Sequence, residues 1–241
     1  MLENKEGSLI PDVTFKVQDQ GQWKDITSDS LFSGKTVVVF SLPGAFTPTC
    51  SSTHLPRFNE LAPIFAKEGV DKIICMSVND TFVMNEWLEN QEAENITVIP
   101  DGNGEFSEKM GMLVDKSAIG FGKRSWRYSM LVKDKKIEKM FIEPEVEGDP
   151  FEVSDADTML KYINPKAKLP SFATIFTKKG CPHCTRAKNL LNDKGIIFEE
   201  IELSNKLTRR SMTNITGNIT TPQVYLDGKL VGGADELEKA L

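Results

Sequence analysis

Short runs of β-branched and aromatic residues alternate along this chain with stretches whose apolar positions recur every three or four residues. That pattern predicts strands interleaved with helices. Segments 13–17 and 23–27 flank Asp19-Gln-Gly-Gln22 and predict a hairpin. Lys35-Thr-Val-Val-Val-Phe40 predicts a buried strand, and residues 50–66 a helix that Pro56 should kink. A second buried strand is expected over 71–78, with Cys75 in its middle. An amphipathic helix over 81–93 carries Phe82, Met84 and Trp87, and a strand over 96–99, a turn over 101–104 and a short helix over 106–112 follow. Strand 127–132 turns through Asp134-Lys-Lys136 into 137–142, and the acidic loop 143–150 leads to a helix over 154–163, with Ser154 as N-cap and Asp157 three residues on.

Asn164-Pro-Lys-Ala-Lys-Leu-Pro170 is polar and Pro-flanked, the mark of a linker. The strand–helix pattern then restarts. Strands are expected over 172–176 and 196–203, helices over 181–194 and 206–213, a hairpin of 221–226 and 229–231 around Asp227-Gly228, and a last helix opening at Gly232. The chain therefore divides into an α/β domain over 1–163, a linker over 164–170 and a second α/β domain over 171–241.

Composition narrows the classes of function. Hydrophobic content of 39% and charged content of 27% fit a soluble globular protein with no run long enough to span a membrane. The polar start of the chain shows no secretory signal. Four cysteines are too few for a disulfide scaffold and fit catalytic thiols in a reducing, cytoplasmic compartment. A net charge of −6 argues against nucleic acid or anionic membrane as partners. Residues 171–241 carry ten Lys/Arg against eight Asp/Glu, leaving 19 against 27 in residues 1–170. Opposite net signs on the two halves would favour their docking.

Cys50 stands where a strand feeds a helix start. Unpaired backbone N–H groups and the helix dipole favour an anion there, so this thiol is expected to ionise near neutral pH, helped by Ser51, Ser52 and Thr53. The wording Pro43-Gly-Ala-Phe-Thr47-Pro-Thr-Cys50 resembles the peroxidatic motif of the peroxiredoxins, of the peroxiredoxin-5 branch in particular. The resemblance implies that Cys50 attacks hydrogen peroxide and alkyl hydroperoxides, that Thr47 and Arg127 hold the peroxide oxygens, and that Pro43 shields the thiolate. Arg127-Tyr-Ser129 matches the context of the family's active-site arginine, with Arg124 as the competing candidate. Family members that resolve their own sulfenic acid carry a cysteine before the helix that follows the acidic loop; 151–156 has none. Cys75 reads as a core residue, with a resolving role as the alternative, and His54 as a solvated helix residue.

Cys181-Pro-His-Cys184 after a strand and at a helix start is a thiol–disulfide exchange motif. Zinc is the competing use, disfavoured because only three ligands are local and a structural site needs four, so no metal is expected. Residues 171–241 resemble a dithiol glutaredoxin through Lys178, the two cysteines, Thr221-Pro222 and Gly232-Gly-Ala-Asp235. The resemblance implies two thioredoxin-fold domains and a glutathione groove. In it Lys178 pairs with the glycine carboxylate, Thr221 before a cis-Pro222 holds the cysteinyl backbone, and the N–H groups of Ala234 and Asp235 take the γ-glutamyl carboxylate. His183 stands where Tyr or Phe is usual, where it would shift the thiolate balance of the pair.

Together these features predict a glutathione-dependent peroxidase. Glutathione is a co-substrate, not a resident cofactor, and Cys181 and Cys184 regenerate Cys50. Seven linker residues span at most ~25 Å. Service by Cys181 to its own Cys50 or to that of a neighbouring subunit both stand, the latter within a homo-oligomer. A peroxide sensor passing oxidation to client proteins uses nearly the same residues. An iron–sulfur carrier is disfavoured by Pro182 and Cys184.

Overall fold

The computed structural model describes residues 2–19, 21–167 and 171–241. The chain divides into two compact units, Met1–Ala167 and Lys168–Leu241.

In the first unit β1 (Thr14–Asp19) and β2 (Gln22–Thr27) pair as a hairpin, with Gly21 at φ +80°. Helix α1 (Ser28–Phe32) is capped by Thr27, whose side chain accepts from the Ser30 N–H. Strand β3 (Thr36–Leu42) then leads into a π-helical turn, Cys50–His54, that runs into α2 (Leu55–Lys67). Next come β4 (Lys72–Ser77), α3 (Thr81–Asn90), β5 (Thr97–Pro100) and α4 (Glu105–Lys109). A ribbon of β6 (Leu113–Asp115) and β7 (Lys123–Ser125) precedes β8 (Tyr128–Lys133), β9 (Lys136–Ile142) and α5 (Ala156–Ile163).

The five-stranded sheet has the order β5-β4-β3-β8-β9, with β3, β4 and β5 parallel and β8 and β9 antiparallel to their neighbours. Strand β3 is its centre, buried on both faces, which is why Val37 to Phe40 is an unbroken apolar run. Val37 and Val39 face a core closed by Phe15, Phe32, Phe106 and Met112. Val38, Phe40 and Leu42 face the opposite core, closed by Phe58 and Leu61 of α2, Met84 and Trp87 of α3, and Met159 and Leu160 of α5. Cys50 and Cys75 both belong to this second core. Phe40 stacks on Phe58 at 4.3 Å between ring centroids, which seats α2 directly behind β3.

Several local expectations are corrected. Pro56 does not kink a helix interior: it occupies the first turn of α2, where no intrahelical N–H is required, and Pro63 is the proline inside the helix. The N-cap of α5 is Asp155, not Ser154; its carboxylate accepts from the Thr158 N–H and Oγ1. Helix α3 ends at Asn90, and of its three large apolar residues Phe82 points outward. Helix α4 closes at Lys109, ahead of Gly111 in the left-handed region at φ +70°. The β6–β7 ribbon is too short, three residues a strand, to show as a pattern.

The second unit runs β10 (Phe172–Thr177), α6 (Pro182–Asp193), β11 (Ile197–Glu202), α7 (Arg209–Thr216), β12 (Gln223–Leu226), β13 (Lys229–Gly232) and α8 (Ala234–Ala240). Its sheet order is β11-β10-β12-β13, with β10 and β11 parallel and the rest antiparallel. Helix α7 starts three residues later than expected because Thr208 is its cap. Of the linker predicted over 164–170, Asn164 to Ala167 form a turn in which the Ala167 N–H reaches the Asn164 carbonyl, and Ala167 packs on the first unit's core; residues 168–170 lie outside the described residues.

Truncating Phe58 to Ala should remove the contact that holds α2 against β3. The expected cost is about 3–5 kcal/mol, measured as a lowered urea midpoint of the first unit.

Candidate functional site: a buried cysteine and its arginine

The site is built where β3 ends. The chain leaves the sheet at Leu42 and turns through Pro43-Gly-Ala-Phe46, with Phe46 at φ +62°. That conformation is uncommon for a side chain of this size, and the surroundings hold it. Asn79 Oδ1 accepts from the Ala45 N–H at 3.0 Å and from Ser77 Oγ at 2.8 Å. Thr47 Oγ1 donates to the Gly44 carbonyl at 2.9 Å, which leaves its oxygen free to accept.

Cys50 opens the π turn and is fully buried. The Leu55 N–H donates to the Cys50 carbonyl, so the turn is one residue wider than an α-helical one. Both Cys50 and His54 face inward. The expectation that Ser51, Ser52 and Thr53 satisfy first-turn donors is not met: Ser51 Oγ accepts from Trp87 Nε1 at 2.9 Å, and Ser52 and Thr53 pair with each other at 3.2 Å.

Arg127 lies one residue ahead of β8 and is 1% exposed. Its Nη1 is 3.1 Å from His54 Nδ1, its Nη2 donates to both oxygens of Asp149 at 2.5 and 2.6 Å, and its guanidinium also faces the Cys50 sulfur. Burial works against the arginine's charge, but Cys50 and then Asp149 more than offset it and hold the group protonated. Arg124, the competing candidate, instead donates to the Val78 carbonyl beside the Phe121 ring.

His54 is corrected from a solvated residue to a fully buried one. Its Nε2 lies 3.2 Å from the Ser154 carbonyl, which can only accept, so the ring proton sits on Nε2 and Nδ1 accepts from Arg127. Burial first, and the Arg127 charge second, push its pKa down to about 3, so the ring stays neutral. The Ser154 carbonyl is in turn fixed by Glu143, whose carboxylate accepts from the N–H groups of Glu152, Val153 and Ser154 at 2.7 to 2.9 Å. Arg127, Pro43 and Thr47 line one cleft of about 510 Å³, together with Pro48, Lys116, Trp126 and Asp149.

Cys75 is fully buried in mid-strand, and burial pushes its thiol pKa up, followed in effect by Cys50. That is the chemistry of a core residue.

In the second unit Cys181 caps α6 and is disulfide-bonded to Cys184, with Cα atoms 5.2 Å apart. The Cys184 N–H reaches the Cys181 sulfur at 3.2 Å. Cys181 Sγ lies 3.6 Å from the Thr221 carbonyl and 3.7 Å from Thr221 Oγ1, and the Thr221–Pro222 bond is cis. Lys178 and His183 are exposed, Ala234 is buried at the start of α8, and the Asp235 carboxylate pairs with Arg186, which lowers its pKa. Thr221 thus meets Cys181, while Asp235 is engaged elsewhere by its side chain.

With both centres placed, comparison with known proteins is decisive. Residues 5–160 match the Redoxin family model and residues 173–231 the Glutaredoxin model. The hybrid peroxiredoxin hyPrx5 of Haemophilus influenzae is 60% identical over 99% of both chains. The chain belongs to the hybrid peroxiredoxins. A peroxiredoxin of Synechocystis is 58% identical over 64% of this chain and 88% of its own. Among solved structures, reduced Prx3 of Vibrio vulnificus in complex with hydrogen peroxide superposes with a TM-score of 0.63 at 37% identity, covering 67% of this chain and 99% of its own. The 1-Cys peroxiredoxin of Plasmodium falciparum gives 0.64 at 34%, covering 67% and 99%. This hybrid peroxiredoxin is an oxidoreductase with two thioredoxin-fold domains, a thiol peroxidase fused to a glutaredoxin.

Sequence reading missed His54, Asp149 and Glu143. Only His54 left a trace: it stands four residues after Cys50, a spacing that puts two helix residues on one face.

The neutral His54 makes a pH prediction. Below about pH 6.5 the unfolded chain protonates this ring and the folded one does not until about pH 3. Folding stability should therefore fall with pH across that window by up to about 1.4 kcal/mol per unit. Urea titrations from neutral to acid pH should show a shallower fall for His54→Gln than for the parent, by up to one proton.

Proposed function

We propose that this hybrid peroxiredoxin reduces hydrogen peroxide and alkyl hydroperoxides at Cys50, and that glutathione and its own C-terminal domain return Cys50 to the thiol. One observation carries the reading of the first site: a buried arginine that lines one cleft with Pro43 and Thr47 faces the sulfur of a buried cysteine.

The Cys50 thiolate attacks one peroxide oxygen. The O–O bond breaks, the departing oxygen takes a proton and leaves as water or alcohol, and Cys50 becomes a sulfenic acid. Charge develops on both oxygens as that bond stretches. The Arg127 guanidinium is the donor suited to hold that charge, the Thr47 oxygen is placed to accept from the peroxide O–H, and Pro43 keeps water from the sulfur. His54 takes one Arg127 amine without adding charge, so it positions the guanidinium.

Glutathione thiol then displaces water from the sulfenic acid and forms a mixed disulfide on Cys50. The Cys181 thiolate attacks the glutathione sulfur, releasing Cys50. A second glutathione clears Cys181 as glutathione disulfide, or Cys184 does so by forming the Cys181–Cys184 bond and releasing glutathione. Lys178, the Thr221–Pro222 backbone, and the N–H groups of Ala234 and Asp235 form the glutathione groove, with His183 beside the thiol pair. Fusion supports this route by raising the local concentration of the Cys181–Cys184 dithiol at Cys50 to the millimolar range (~1 mM). Peroxiredoxin residues 1–163, a linker over 164–170 and glutaredoxin residues 171–241 are the division that serves it. A homo-oligomer would let Cys181 serve a neighbouring subunit's Cys50.

No helix among the described residues is long and apolar enough to cross a membrane. We place the protein in the cytoplasm because its cycle draws on a reducing glutathione pool.

Peroxide consumption by the full chain, with glutathione and glutathione reductase, tests the cycle. Cys50→Ser should abolish turnover, Cys181→Ser should lower it about tenfold or more, and Cys184→Ser should retain most of it. Undiminished turnover in the Cys181→Ser chain would sink the coupling between the two centres. A mixture of Cys50→Ser and Cys181→Ser chains should regain turnover if the service runs between subunits.

A further inference from the structure

Arg127 presents three polar edges, and they are used unequally. Nη1 is taken by the neutral ring of His54, and Nη2 by both oxygens of Asp149. Nε is buried and has no hydrogen-bond partner among the described residues, which leaves it to the sulfur and the incoming peroxide. Asp149 differs from the other partners: its side chain is 42% exposed and lines the cleft, whereas Arg127 is 1% exposed. Nη2 is therefore the edge at which a carboxylate entering the cleft would find a bidentate anion site, and a carboxylate of the protein already fills it.

The rest of the mouth has the same sign. Asp115 and Glu147 line it with Asp149, against Arg127 and Lys116. Lys116 Nζ is spent on the Trp126 ring, 4.5 Å from its centroid, and on the Gly148 carbonyl at 3.4 Å. Among the described residues, neither Lys116 nor the Nη edges of Arg127 are left uncommitted to an approaching anion.

We propose that Asp149 is a resident competitor for the anion site of Arg127, and that it makes this cleft select uncharged hydroperoxides over carboxylate-bearing ones. An anionic substrate must either displace Asp149 from Nη2 or bind beside it against like charge. Hydrogen peroxide and neutral alkyl hydroperoxides need neither and use the Nε edge. The inference rests on the reading of Cys50 as the peroxidatic thiol.

The test compares linoleic acid hydroperoxide with its methyl ester, a pair that differs only in the carboxylate. The readout is the rate at which each first oxidises Cys50 in the full chain. The parent should react faster with the ester. Asp149→Asn keeps the side chain's size and removes its charge, and should shrink the ester-to-acid rate ratio about fivefold. Asp149→Ser should do the same, which guards against a defect peculiar to the amide. Glu147→Gln removes a charge from the same mouth without touching Arg127 and should shift the ratio less.

A ratio unchanged in both Asp149 variants, with the two rates falling together, would show that Asp149 only orients Arg127 and would overturn the proposal. An equal shift with Glu147→Gln would overturn it too, since net charge of the mouth would then suffice. Reduction of either hydroperoxide by the Cys50→Ser chain would defeat the peroxidatic reading itself, whatever the ratios.

Discussion

A guanidinium held out of water is the constraint on which the first domain's chemistry rests. Burying one costs several kcal/mol unless each edge is matched. Here the matching groups come from distant parts of the chain: the π turn after β3 supplies Cys50 and His54, and the acidic loop after β9 supplies Asp149. Arg127 therefore ties together the sheet that carries it, the turn that carries the sulfur and the loop that lines the cleft. Glu143 serves the same end indirectly. By gathering three backbone N–H groups it folds the returning loop so that the Ser154 carbonyl meets His54, and this fixes which ring nitrogen can accept from the arginine.

The tautomer decides the electrostatics. A charged ring beside Arg127 would repel it, and a ring with its proton on Nδ1 would offer the arginine no acceptor. Placing a carbonyl against Nε2 excludes both states without adding net charge to the pocket. The carboxylate that meets Arg127 is thereby that of Asp149, with the Cys50 sulfur on the other side of the guanidinium. Those two groups lie in different settings, the sulfur fully buried and the carboxylate facing the cleft.

The parts of this arrangement that could be read from the sequence are those written in consecutive residues. Pro43 to Cys50 is a single turn from strand to helix, and Cys181 to Cys184 a single helix start, so spacing alone announces them. The two strand–helix series, and the continuous apolar run that marks β3 as a buried strand, were legible for the same reason. His54, Glu143 and Asp149 were not. The His54–Arg127 contact spans 73 residues and the Arg127–Asp149 contact 22, and nothing local distinguishes a buried Glu143 from the other acids of its loop. The π turn is equally silent in sequence, because an α-helix start with the same residues would look no different. Local capping signals misled where two candidates stood side by side: Ser154 and Asp155 are both good caps, and only the tertiary position of Ser154 beneath Glu143 removes it from that role.

Zero exposure at Cys50 sets a size limit that the two halves of the proposed cycle would feel differently. A molecule of two oxygens can slip past closed packing, but a tripeptide cannot lay its sulfur against another that no solvent touches. On the proposed cycle the first turn of helix would have to part from Trp87 and from Arg127 before the reducing half begins, and re-form before the next oxidant is met. Breathing of this one turn would then meter how many electrons the molecule delivers, independently of how fast either sulfur reacts once in contact.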